Sequence, residues 1–202
     1  MKKLLGLAAL SLVLAAPVVQ AQDTGSWVVR ARALRLDAAN KDSTGLNLTV
    51  NDKTFPEVDI GYFFTPSLAM ELVLTYPQKH TLYSNGNKIG TLKHLPPTLL
   101  VQYHLGGLGF VRPYAGVGIN YTRFSDVQFE PAVVAALNPS IKKNSTGAAV
   151  QLGADFPLGG GWLVNVDVKK VQIETDVFSG TTRAGTFKVD PVLFSVGVGL
   201  RF

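Results

Sequence analysis

Val192-Leu193-Phe194-Ser195-Val196-Gly197-Val198-Gly199-Leu200-Arg201-Phe202 closes the chain. At a period of two, Val192, Phe194, Val196, Val198, Leu200 and Phe202 fall on one face, and Leu193, Ser195, Gly197, Gly199 and Arg201 on the other. The first face is β-branched or aromatic and the second is nearly empty of bulk, which a strand facing a soluble core does not need. Its length, about eleven residues, is that of a tilted strand crossing a bilayer. The stretch therefore points to a sheet closed in an outer membrane, with lipid against the apolar face.

Working outward, seven further alternating segments precede it, at about 26–36, 55–63, 68–76, 95–105, 112–124, 147–156 and 162–176. In the first, Trp27, Val29, Ala31 and Ala33 oppose Val28, Arg30 and Arg32, and Leu34-Arg35-Leu36 breaks the phase. Connectors after the second, fourth and sixth segments are short and rich in Gly and Pro, and those after the first, third, fifth and seventh are longer and polar. The pattern predicts an all-β fold: an eight-stranded antiparallel transmembrane β-barrel with short periplasmic turns and longer extracellular loops. Residues 125–144 form the longest loop, with a turn or two of helix over Pro131 to Leu137. Aromatics near segment ends, among them Trp27, Tyr62, Tyr121 and Trp162, match interface girdles. A soluble barrel would need the polar face outside, but that face is Gly-rich with few long charged side chains, and it suits a narrow lumen instead.

The N-terminus agrees with this address. Met1-Lys2-Lys3, the apolar run Leu4 to Val19 and the small-x-small site Val19-Gln20-Ala21 predict a signal peptide over residues 1–21, leaving 22–202 as the barrel domain. The run is too short, and too interrupted by Ser11 and Pro17, for a spanning anchor. The chain has no cysteine, so no disulfide and no thiolate site. Its net charge of +5 falls to about +3 without Lys2 and Lys3, and with no basic cluster it argues against a nucleic-acid partner.

Several blocks carry a family resemblance. His94-Leu95-Pro96-Pro97-Thr98-Leu99, Arg112-Pro113-Tyr114-Ala115-Gly116-Val117-Gly118-Ile119-Asn120-Tyr121-Thr122, Gly161-Trp162-Leu163-Val164-Asn165 and Asp190-Pro191 resemble the OmpW family of outer-membrane proteins over essentially the whole mature chain. The resemblance implies an eight-stranded barrel with a narrow, largely hydrophobic lumen open to the outside. It also implies passage of small hydrophobic molecules that leave sideways through the wall, or a receptor for phages or bacteriocins.

The residues reach part of that reading by themselves. An eight-stranded barrel has an interior just wide enough for side chains to fill, so bulk ion flow is not expected. Arg30, Asp59, Glu71, Asp155, Asp167 and Arg201, with Gln102 and Asn165, collect on the inward face of the periplasmic half. At that density they must pair, and a paired cluster closes the lower end as a periplasmic plug. A solute entering from above then needs an exit in the wall. Pro96 and Pro97, early in the fourth segment, donate no ladder hydrogen bonds, and they are the candidate lateral opening between the third and fourth strands. Val73, Leu100 and Leu163 are candidate channel-lining residues above the plug, and Val73 matches an apolar inward position of the family. Lys169 also points inward where the resemblance implies an apolar or aromatic residue. It opens the door to a polar or anionic solute unless strand seven shifts phase and carries it to the rim.

Other classes find less support. His80, His94 and His104 are the three histidines, and His80 and His94 flank the second external loop. A rim dyad with Asp126 or a loop serine, as in a lipid-modifying barrel, has no spacing motif behind it, so no enzyme activity is expected. No carboxylate completes a metal set, and neither metal nor cofactor is expected. A structural or receptor barrel working through residues 38–54 and 125–144 is the remaining alternative. The partners expected are outer-membrane lipid, small hydrophobic solutes, and the periplasmic chaperones and barrel-assembly machinery through Phe202.

Overall fold

The computed structural model describes residues 26–106 and 108–202, so the expected signal peptide lies outside the described residues. Fifteen strands and one short helix follow one another. They are β1 (Trp27–Asp37), β2 (Lys41–Asp42), β3 (Leu48–Val50), β4 (Lys53–Phe63), β5 (Leu68–Leu74), β6 (Gln78–Ser84), β7 (Asn87–Leu95), β8 (Thr98–His104), β9 (Arg112–Phe129), α1 (Pro131–Leu137), β10 (Pro139–Ile141), β11 (Asn144–Gly159), β12 (Trp162–Val171), β13 (Glu174–Ser179), β14 (Thr182–Lys188) and β15 (Val192–Arg201).

Eight of these, β1, β4, β5, β8, β9, β11, β12 and β15, pair antiparallel in chain order, and the ring closes where β15 meets β1. That seam runs from Val28 opposite Arg201 to Asp37 opposite Val192, and Trp27 and Phe202 exchange backbone hydrogen bonds of 3.0 and 2.9 Å below it. The eight predicted segments are the eight barrel strands. Lipid-facing side chains are apolar and exposed, such as Phe194, Val196 and Val198 on β15 and Val117 and Ile119 on β9. Ser195, Gly197, Gly199 and Arg201 alternate with them toward the inside. A soluble protein does not leave an apolar belt of this extent open to water.

Three short connectors, at 64–67, 105–111 and 160–161, lie at one end. At that end Trp27, Tyr62 and Phe64 stack edge-on, with ring centres 4.9 and 5.2 Å apart, as an interface girdle. The four long connectors at the other end build structure of their own. β3, β6 and β7 extend the barrel wall above β9, and β10, β13, β14 and β2 form a second small sheet. The helix expected over Pro131 to Leu137 is α1, starting on its proline and ending on Asn138 in the left-handed conformation.

Four boundaries differ from the sequence reading. β1 keeps its phase to the top, with Leu34 and Leu36 buried inside and Arg35 outside, because the interior turns from charged to apolar there and not because the strand slips. β9 runs on to Phe129 against β7, so the longest excursion is 75–97 and not 125–144. The fourth barrel strand begins only at Thr98, after the proline pair, and the seventh stops at Val171.

Small residues set the interior's width. A β-carbon at Gly153 would land on the Tyr114 ring, and one at Gly199 would lie 2.8 Å from Leu163 Cδ1 and 3.0 Å from Arg30 Cγ. Gly153→Val is expected to destabilise the barrel by about 1–3 kcal/mol through overpacking. Val150→Leu on the lipid face should leave it nearly unchanged; urea midpoints of the protein folded in vesicles measure both.

Candidate functional site: an apolar lumen over a charged floor

The lower barrel is filled by a buried ion network. β1 delivers Arg30 and Arg32 to the axis, and its register with β4 sets them opposite Asp59 and Glu57. Arg30 holds Asp155 in a two-pronged contact, Nη2 to Oδ2 at 2.7 Å and Nε to Oδ1 at 3.2 Å, and reaches Glu71 at 3.0 Å. Arg32 meets Glu57 at 3.1 Å, Glu71 at 3.3 Å and Asp167 at 3.6 Å, and its Nη2 contacts Asp59. Lys169 closes the set on Glu57 at 2.9 Å and Asp167 at 2.7 Å.

Three cations thus face five carboxylates, and neutral donors serve the surplus oxygens. Gln151 donates to Glu71 at 2.8 Å and Asp167 at 2.7 Å, Asn165 to Asp155 at 2.8 Å, and the Tyr114 hydroxyl to Asp167 at 3.1 Å. Charges buried this deeply need partners, and each of the five carboxylates meets at least one cation, although Asp59 Oδ1 has no hydrogen-bond partner among the described residues. Beneath it Val28, Phe63, Ala69 and Leu163 form a small apolar layer, with the Arg201 guanidinium 3.8 Å from the Phe63 ring centre.

Above the network the interior changes character. Leu34, Leu36, Phe55, Val73, Val171 and Leu193 line a narrow cavity of about 20 Å³ whose floor is Glu57 and Lys169. One side of this cavity is Pro96, Thr98 and Asn120. The β5–β8 ladder ends at Val73 opposite Thr98, and pairing between the two chain segments resumes only at Gln78 opposite His94. Across the intervening gap the proline pair has no N–H to offer. On its other flank the Asn120 amide lies 3.1 Å from the carbonyl oxygens of both Pro96 and Pro97, and the Tyr121 N–H donates to Pro97 at 3.1 Å. The break is therefore secured toward β9 and open toward β5, and the Thr75 hydroxyl beside it lacks a partner among the described residues.

The expected site residues distribute as follows. Arg30, Asp59, Glu71, Asp155 and Asp167 come together in the network, and Arg201 stands one layer below it. Arg32, Glu57 and Tyr114 are central and were not singled out by the sequence, although Arg32 was on the inward face and Glu57 shares the phase of Asp59. Val73 lines the cavity, and Leu100 lies in the same apolar cluster without reaching the cavity wall. Leu163 is a correction: β12 starts at Trp162, so its second residue falls beneath the network and not above it. Lys169 points inward and lines the cavity at its floor. β12 does not shift phase, and the amine is buried in the floor instead of standing at the rim. Asp126 faces Lys93 outside the barrel at 2.7 Å, away from the buried histidines.

A closed antiparallel ring of eight strands, apolar outside and ion-paired within, defines an integral barrel of the outer membrane. The chain belongs to the OmpW family, whose sequence profile matches residues 23–202. Outer membrane protein W of Vibrio cholerae is 33% identical, over 98% of this chain and 97% of that protein. The dibenzothiophene metabolism operon protein PahQ of Pseudomonas aeruginosa is 27% identical over 78% of this chain and 76% of its own length. Among solved structures, the outer membrane protein OprG from Pseudomonas aeruginosa superimposes with a TM-score of 0.76 at 28% identity, covering 89% of this chain and 99% of that one.

Removing one cation from the floor leaves buried carboxylates uncompensated. Arg32→Met should cost about 3–5 kcal/mol of barrel stability. Arg35→Met, at an exposed pair with Asp37 and Asp52, should leave the stability nearly unchanged. Urea unfolding in vesicles compares the two.

Proposed function

We propose that the barrel takes small hydrophobic molecules from outside into the apolar lumen and releases them sideways into the membrane at Pro96 and Pro97. The observation that carries this is the break in the wall: the β5–β8 ladder stops at Val73 and Thr98 beside a narrow, apolar-lined cavity that stands on a buried ion network. An apolar solute loses little on entering such a space, whereas a hydrated ion must shed water and then meets paired charges. Val73 and its neighbours offer contact, and Lys169 adds no free charge because Glu57 and Asp167 engage it. That removes the reason for preferring a polar or anionic solute. The similarity to a protein of a dibenzothiophene metabolism operon supports an apolar, ring-containing cargo. In this reading the chain is a passage and not a catalyst, and Phe202, exposed at the closing seam, is what the assembly machinery receives.

The test is transfer of N-phenyl-1-naphthylamine into proteoliposomes beside single-channel conductance in a planar bilayer. Transfer with little conductance is the expected result. Conductance without transfer would make the barrel a small hydrophilic channel, and neither would move its role to the external loops as a receptor surface. Pro96→Thr with Pro97→Val is expected to slow transfer severalfold while the barrel stays folded; transfer at the wild-type rate would remove the lateral exit.

A further inference from the structure

The hairpin of β6 and β7 stands above the lipid-facing belt, its outward positions being Lys79, Thr81, Thr91 and Lys93. Inside it three side chains are buried together: Gln78, His80 and His94, at 0%, 1% and 2% exposure. Gln78 and His94 are direct cross-strand partners, and the rings of His80 and His94 lie 4.5 Å apart at 36°.

Each of the three carries an orphaned atom. His80 Nδ1 sits 3.0 Å from the carbonyl oxygen of Asn51, which can only accept, so Nδ1 holds the proton and Nε2 presents a bare lone pair. The Gln78 amide nitrogen donates to the Tyr76 carbonyl at 2.9 Å, which turns Oε1 the other way. Gln78 Oε1, His80 Nε2 and His94 Nε2 all lack a hydrogen-bond partner among the described residues.

Buried acceptors without donors are costly and ask for an occupant. A d-block cation bonds imidazole nitrogen at about 2.0–2.1 Å and takes up such lone pairs directly. Two imidazoles and an amide oxygen, with no thiolate, suit a borderline divalent ion, and copper binds such donors most tightly in its series. We infer that Gln78, His80 and His94 form a binding site for a divalent late d-block cation inside the extracellular hairpin. Bound there, the ion would tie β6 to β7 directly above the proline break.

The test uses the full barrel, without an affinity tag, folded in vesicles and titrated with Cu(II). The expected result is one tight site whose electron paramagnetic resonance spectrum shows coupling to two imidazole nitrogens. His80→Ala and His94→Ala should each weaken binding at least about tenfold and remove that coupling, and Gln78→Leu should weaken it with the two-nitrogen pattern kept. Retained heat-modifiable mobility on gels shows that each variant is folded. No tight site in the folded wild type, or binding that survives both histidine substitutions, overturns the inference and leaves the orphaned atoms as a cost of the fold.

Discussion

Closure of the β1–β15 ladder is the constraint on which everything else rests. In lipid no water is available to an unpaired N–H or C=O, so a sheet is stable there only as a ring without edges. The seam's ten register pairs, from Val28–Arg201 to Asp37–Val192, make that ring. Closing with eight strands then fixes the bore, and the bore dictates that side chains must fill it. Arg30 and Arg32 fit only because Gly199 and Gly197 lie opposite them on β15. The glycine-rich inward face of the terminal strand and the charged floor are thus two sides of one packing solution.

The floor in turn gives the lumen its polarity gradient. On β1 the inward series reads Val28, Arg30, Arg32, Leu34, Leu36, and on β12 it reads Leu163, Asn165, Asp167, Lys169, Val171. Both cross from polar to apolar at the same level, and so does β4 from Asp59 and Glu57 to Phe55. Three strands switching together produce a boundary plane: charges that need one another below, unfilled apolar space above.

That plane explains what was legible in the sequence. Strand existence, count, orientation and lipid-facing set follow from alternation and connector length, which are local properties, and all eight barrel strands were found. The polar–apolar switch is visible as well, but at Leu34 it reads as a change of phase and after Val168 as one of two alternatives, since a single strand cannot distinguish a slipped register from a changed environment. Only the neighbours decide, and Arg32 finds Glu57 and Asp59 across a ladder that no local pattern reveals. The same holds for Leu163, whose level depends on where the turn at 160–161 ends, and for the extracellular sheets, whose pairings such as β14 with β2 join residues far apart in the chain.

The wall break shows how the ring tolerates an interruption. A proline pair in lipid-exposed sheet leaves carbonyl groups that its neighbours cannot all serve. Asn120, an inward polar residue of β9 whose Oδ1 accepts from the Thr122 hydroxyl, takes up the oxygens of Pro96 and Pro97 from inside the lumen. Its donor capacity is spent on one flank, so the β9 seam stays continuous and the β5 seam does not. The asymmetry means that separation at this point breaks no ladder hydrogen bond between β5 and the prolines, and the β4–β5 ladder likewise stops at Val58 opposite Leu74. The chain above Val73 and Leu74 is thus the stretch of wall beside the cavity that no ladder holds on either flank until Gln78 pairs with His94.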